Sequence, residues 1–384
     1  MIYKTLLALY FFILLIRCTI IQENKIQYQA EHKSYGIEIV PFSYVKKLII
    51  VEASLNSNEQ RNFIFDTGAF QSKVEYSLAE ESNLEEIYSR KNSTAQGITR
   101  RIAITSIDSI ELSSSKYYNI GAGIIKYSPD SYSQCVAESG IIGSNLIKLS
   151  NWKVDYKSKQ LTMSETPLCP INNDMVIQLD FKTSYLSGVP LVDIVIEGQV
   201  IKNVILDLGY NGGIVVPERF ESKFSSSETN KIVDQSSSGI FGSKRDDINI
   251  KYLNLELGNT TTEVPIEFSS LDKALIGNDF LEHFDLYIDY DNEVITLQEI
   301  SRVEIDKSKV FIPGILNDTL WVVDRVNAEI PLSVGDTLKT VNGYQPKDIF
   351  DSNCDYFLNI STLFEEDSIF VKSLDNKLTS IRIE

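Results

Sequence analysis

The chain has 384 residues, enough for two or three domains at about 100–200 residues each, and its 43% hydrophobic and 23% charged content excludes disorder as the dominant state. Asp and Glu outnumber Lys and Arg by 53 to 36, and the resulting net charge of −17 opposes phosphate backbones, so no nucleic-acid partner is expected. Only His32 and His283 occur, neither with a second His at ligand spacing, which leaves almost nothing from which to build a His-rich zinc site or a Ser-His-Asp hydrolase and makes carboxylate chemistry the default.

Residues 1–22 read as an export signal: Lys4, an apolar run from Leu6 to Ile16, then Arg17 and Cys18. The run is far short of the ~20 residues a mature helix needs to cross a bilayer. The expectation is an exported protein, periplasmic, cell-envelope or extracellular. Cys18 resembles a lipoprotein processing site at which the acylated Cys would anchor the chain, although Arg17 stands where such sites carry a small residue. Simple secretion is the other reading. Of the remaining cysteines, Cys135 and Cys169 could pair if the fold brings their Cα atoms within about 7 Å, with Cys354 left over. Three unpaired thiols are equally open, and no Cys spacing suggests a metal site.

Two ungapped internal matches follow. Residues 62–74, NFIFDTGAFQSKV, match 203–215, NVILDLGYNGGIV, and residues 141–163 match 275–297, with Asp155-Tyr156 opposite Asp289-Tyr290. Their common order and nearly equal offsets imply two copies of one domain. Runs such as Lys47 to Leu55, Leu191 to Glu197 and Ile248 to Leu257 have strand composition and are separated by Gly, Asn and Ser turns, so each copy is read as all-β. Copy one spans 36–168 and copy two 174–299, joined by a linker at Pro167, Pro170 and Asn172 to Asp174. Residues 300–384 match neither copy.

In copy one an apolar strand ends in Asp66-Thr67-Gly68-Ala69; in copy two the matching strand ends in Asp207-Leu208-Gly209-Tyr210. Each is followed 70 to 80 residues later by apolar-apolar-Gly, Ile141-Ile142-Gly143 and Leu275-Ile276-Gly277. Over residues 40–299 this pattern resembles the bacterial-type aspartic proteases of the pepsin and retropepsin superfamily. The resemblance implies two β-barrel lobes in tandem, with Asp66 and Asp207 as the catalytic pair. Thr67, Gly68, Gly209, Ile142, Gly143, Ile276 and Gly277 would support them. The glycines fit because backbone must pass close to a carboxylate and turn sharply. Such a pair shares one proton and hydrolyses a peptide by general acid–base catalysis on a trapped water, requiring neither metal nor cofactor. The implied partner is a polypeptide substrate held across the lobe junction, and the implied state is a monomer, since both half-sites lie in one chain. Flaps would come from Ala95 to Thr99, centred on Gly97, and from Ser238 to Gly242, carrying Gly239 and Phe241.

Two positions depart from the family, Leu208 and Tyr210, the latter replacing the small residue represented by Ala69. A Thr or Ser usually follows each Asp and bonds across to the opposite loop; Thr67 fits, but Leu208 has no hydroxyl. Asn211 or backbone amides would have to hold Asp207 instead; copy two is also open to reading as a degenerate lobe whose Asp207 is only a loop carboxylate. The alternative reading is a catalytically inactive, protease-like peptide-binding protein.

Leu332 to Gly343, LSVGDTLKTVNG, is similar to the hallmark of PDZ domains. That resemblance covers 300–384 at most and implies a groove that takes an extended peptide or a C-terminus by strand addition, with a carboxylate-binding loop near Phe311 to Leu316. Packing of this domain on the lobes with no ligand is the alternative. His283 and Trp152 are read as local structure and core, and Ser113 to Ser115, Ser225 to Ser227 and Ser236 to Ser238 as loop tips.

Overall fold

The computed structural model describes residues 26, 29–33, 36–170, 176–184, 187–225, 229–258, 260–304 and 309–383. The export segment 1–22 with Cys18, the linker residues Asn172 to Asp174, and Ser226 and Ser227 lie outside the described residues. The chain is mainly β, as the short β-branched runs predict, with 52% strand against 12% helix. No helix among the described residues is long and apolar enough to cross a membrane.

The strand Arg61–Asp66 alternates onto a core through Phe63 and Phe65, both fully buried, and runs parallel to Gly140–Gly143 with Asp66 opposite Gly143. The chain leaves Asp66 in a tight loop and returns as Ser72–Glu75, antiparallel to the other side of Gly140–Gly143 and parallel to Ser115–Ile125. A strand thus passes between the two arms of a loop whose base holds an Asp. The same connection recurs 141 residues on (207 − 66). There Gln199–Leu206 runs parallel to Leu275–Ile276, and Ile214–Pro217 is antiparallel to Leu275–Ile276 and parallel to Thr260–Ser269.

An antiparallel sheet joins the two segments, in the order 38–41, 160–164, 151–155, 284–289, 294–299, 176–180. Its central pairing sets Trp152 opposite Ile288 and Val154 opposite Leu286. One apolar core runs continuously from Val40 to Leu297. Fully buried Trp152 meets the Phe65 ring edge-on at 5.0 Å and donates from Nε1 to the Ile147 carbonyl at 2.7 Å, so the strand ending in Asp66 rests on a large anchored ring.

Residues 311–382 build a second core around Phe311, Trp321, Leu338, Tyr356 and Val371. Strands Phe311–Leu316, Leu320–Asn327, Thr337–Val341, Ser368–Ser373 and Leu378–Arg382 form an antiparallel meander. Asn342 and Gly343 take the positive φ that their hairpin turn demands, at 50° and 87°. Phe311 to Leu316, expected as a carboxylate-binding loop, is instead a strand, because its residues pair along Leu320–Asn327 and Tyr356 donates to the Pro313 carbonyl from the helix Asn353–Asn359. Leu320–Asn327 also pairs with Asn230–Asp234, which continues the sheet of the preceding segment into this one. Arg325 lies across that junction, 3.5 Å from Asp234 and 3.7 Å from Glu267.

The cysteine pairing differs from the expectation. Cys135 is bonded to Cys354, not to Cys169, with Cα atoms 5.2 Å apart and 219 residues between them in sequence. Cys169 is exposed and free. Tyr132, three residues before Cys135, stacks on Phe357 at 4.7 Å. The short helix Ser133–Val136 therefore meets Asn353–Asn359, a contact that sequence spacing cannot reveal.

Candidate active site

The two Asp-bearing loops face each other base to base. A Cβ placed on Gly68 would lie 2.3 Å from the Asp207 carboxyl carbon, and one placed on Gly209 would lie 2.2 Å from that of Asp66. Each glycine therefore leaves the volume that the opposite carboxyl fills. The Asp66 and Asp207 side chains hydrogen-bond each other. The Ala69 amide donates to Asp66 Oδ1 at 2.7 Å and the Gly209 amide to Asp207 Oδ1 at 2.9 Å, while the Gly68 amide serves both carboxyls. Backbone amides hold Asp207, and exposed Asn211 takes no part among the described bonds.

Thr67 is fully buried, and its hydroxyl donates to the Leu206 carbonyl at 2.6 Å and accepts from the Leu208 amide at 2.9 Å. One hydroxyl thus binds both sides of the opposite loop. Leu208 has none to return; its side chain is fully buried in the main apolar core. Two residues that the sequence reading missed brace the loops from beneath. Ser144 Oγ donates to the Thr67 carbonyl, and Asn278 Nδ2 donates to the Leu208 carbonyl at 2.8 Å and to the Lys47 carbonyl at 2.8 Å. They follow Gly143 and Gly277 at the same place in the repeat, which is the signal that would have found them. The Gly143 amide donates to Ser72 Oγ at 3.0 Å, and the Gly277 amide donates to the Gly213 carbonyl at 2.9 Å. Ile142 pairs with Phe65 and Ile276 with Leu206, directly behind the loops.

Electrostatics separates the two carboxyls. Burial and then the charge of Asp66 push Asp207 well above the usual carboxylate range. Asp66 is raised by burial too, but the Lys73 ammonium and the Ala69 amide oppose the rise. The pair therefore keeps one proton, with Asp207 the better holder and Asp66 the better base.

The two hairpins expected as flaps meet at an apolar cluster that includes Ala69. Gly97, at φ 75°, lies in the turn between Tyr88–Ser93 and Thr99–Leu112. Ser238–Gly239 and Gly242–Ser243 form a tight pair bracketing Ile240 and Phe241, both buried. The hairpins meet: a Cβ on Gly239 would lie 2.6 Å from Gln96 Oε1, and Arg100 donates to the Phe241 carbonyl at 3.1 Å. Ile240 and Phe241 join Ile98, Ala69 and Ile141 in one apolar cluster. His283 bonds Ser301 and the Glu304 carbonyl, outside this site. No group of three or more His, Cys, Asp or Glu that could hold a metal occurs among the described residues.

The chain is mainly β, and its loops bring two buried carboxyls into one pair, the arrangement that general acid–base hydrolysis can use. In comparison with known families, residues 51–146 match the family model described as aspartyl protease. The matched stretch contains Asp66, Thr67, Gly68, Ile142 and Gly143 and stops short of Asp207. No curated protein matches the chain at a significant level.

Proposed function

We propose that this protein is an aspartic endopeptidase in which Asp66 and Asp207 activate one water between them. The observation that carries the reading is the reciprocal fit of each carboxyl above the other loop's glycine. Ionised Asp66 takes a proton from the water as it attacks the scissile carbonyl, while protonated Asp207 donates to the carbonyl oxygen. Asp66 then gives that proton to the amine nitrogen as the C–N bond breaks, and the collapsing diol hydroxyl returns a proton to Asp207. The substrate is a polypeptide lying extended beneath the hairpins of Gly97 and of Gly239 and Phe241. Residues 36–168 and 174–299 serve as the two lobes, and one chain supplies both carboxyls, so the active form is a monomer.

Residues 300–384 are assigned a PDZ-like role in recruiting polypeptide. What supports it is the Val334 to Gly343 motif and the pairing of Leu320–Asn327 with Asn230–Asp234, which joins the sheet of residues 311–382 to that of copy two. The Cys135–Cys354 disulfide supports export, because such bonds persist in oxidising compartments.

The test is cleavage of a mixed peptide library from acid to neutral pH by wild type, Asp66→Asn and Asp207→Asn. Loss of cleavage in both variants is expected, with the acid limb of the wild-type profile above pH 3.8, the ordinary Asp value, since Asp66 is raised. Folded wild type that binds but never cleaves peptides would make this an inactive peptide-binding relative instead.

A further inference from the structure

Copy one carries near the dyad a cationic group whose charge biases Asp66 but which takes no proton in the hydrolytic step. Lys73 follows the Asp66 loop on the strand Ser72–Glu75, where its neighbour Val74 points into the main core. Strand alternation turns Lys73 to the opposite face. Its direct partner there is Ile141, a member of the cluster that holds Ala69, Ile98, Ile240 and Phe241 beneath the hairpins. Lys73 is 7% exposed, and its ammonium donates to the Gln71 carbonyl at 3.2 Å. No described carboxylate lies within ion-pair distance; the charges that act on it are Asp66, Asp207 and Arg90. Beside it, Gln71 is 2% exposed, accepts from Arg90 Nη2 at 3.1 Å on Oε1, and has a buried Nε2 with no partner. Arg90 lies over the Phe70 ring at 4.7 Å.

A buried cation with no direct ion pair among the described residues, next to a buried amide donor with nothing to bind, is costly to bury. An entering carboxylate would relieve both. The dyad carries one negative charge at most, and that charge is shared between Lys73 and the loop amides. Burial lowers the Lys73 pKa and the Asp66 charge opposes this, so an added anion would favour the ammonium further.

We propose that Lys73, with Gln71 and Arg90 behind it, forms a subsite for a carboxylate side chain, so that the substrates are polypeptides bearing Glu or Asp at a position flanking the scissile bond. This rests on the protease reading and names its substrate class. Lys73 is a specificity residue: it touches substrate away from the reacting atoms.

The experiment compares kcat/KM for peptide pairs that differ only by Glu or Gln at each position flanking the cleaved bond. Wild type should prefer Glu at one position by on the order of 100-fold, the effect of leaving one partner of a buried charge pair unmatched. Lys73→Met should bring that ratio near one whatever its absolute rate, and Lys73→Glu should turn the preference toward Lys at the same position. Equal cleavage of Glu and Gln peptides by wild type at every position would overturn the subsite and leave the protease reading intact; this arm needs no variant to fold. A preference that survives in folded Lys73→Met would overturn the assignment to Lys73. No cleavage of any peptide by folded wild type would overturn the protease reading and this inference with it.

Discussion

Thr67→Val keeps the shape of a fully buried side chain and removes one hydroxyl. In the structure that hydroxyl makes two bonds across the junction, to the Leu206 carbonyl and from the Leu208 amide, at 2.6 and 2.9 Å. Both partners belong to the loop of Asp207 and are buried, so the substitution leaves one backbone acceptor and one backbone donor unmatched. At about 1–3 kcal/mol for each unsatisfied buried group, the expected destabilisation is about 2–6 kcal/mol. Since Leu208 supplies no reciprocal hydroxyl, nothing on the other side compensates. Urea unfolding gives the stability change, and kcat/KM on a cleaved peptide gives the effect on carboxyl alignment, expected to fall at least tenfold. Thr67→Ser retains the hydroxyl and should recover most of both. A Thr67→Val protein less than about 1 kcal/mol weaker than wild type, with unchanged kcat/KM, would refute the claim that this hydroxyl fixes the two loops.

Burial, and secondarily the charge of Asp234, raise the Asp324 carboxyl to about 6 from 3.8. The raised value means that the folded state binds this proton more tightly than the unfolded one, so the stability it contributes is present below pH 4 and lost as pH rises to about 6. Asp324→Asn should thus stabilise the protein by about 3 kcal/mol above pH 6, at about 1.4 kcal/mol per pKa unit, and by nothing near pH 3, as read from denaturation midpoints across pH. Equal stabilisation at both pH values would contradict it. Reducing Cys135–Cys354, or replacing both by Ser, should cost about 2–4 kcal/mol through the long loop it closes, measured as a lower urea midpoint; an unchanged midpoint would count against the bond as a clamp on residues 311–382.

The sequence by itself determined the repeat and, through it, the pair Asp66 and Asp207 and the strands behind them, because hydrophobic alternation and obligatory glycines leave a local pattern that survives without coordinates. The same repeat held Ser144 and Asn278 in plain register. Only the tertiary structure decided how the pair is held: whether a missing hydroxyl at Leu208 opens the site depends on where the Thr67 hydroxyl and the Gly68 and Gly209 amides end up in space. Lys73 carries no signal in the sequence; folding buries it on the strand face opposite Val74, with no described carboxylate at ion-pair distance. Cys135 found Cys354 rather than Cys169 for a like reason. Pairing depends on Cα separation, and two segments 219 residues apart approach only when the copy-one helix and the C-terminal helix have packed.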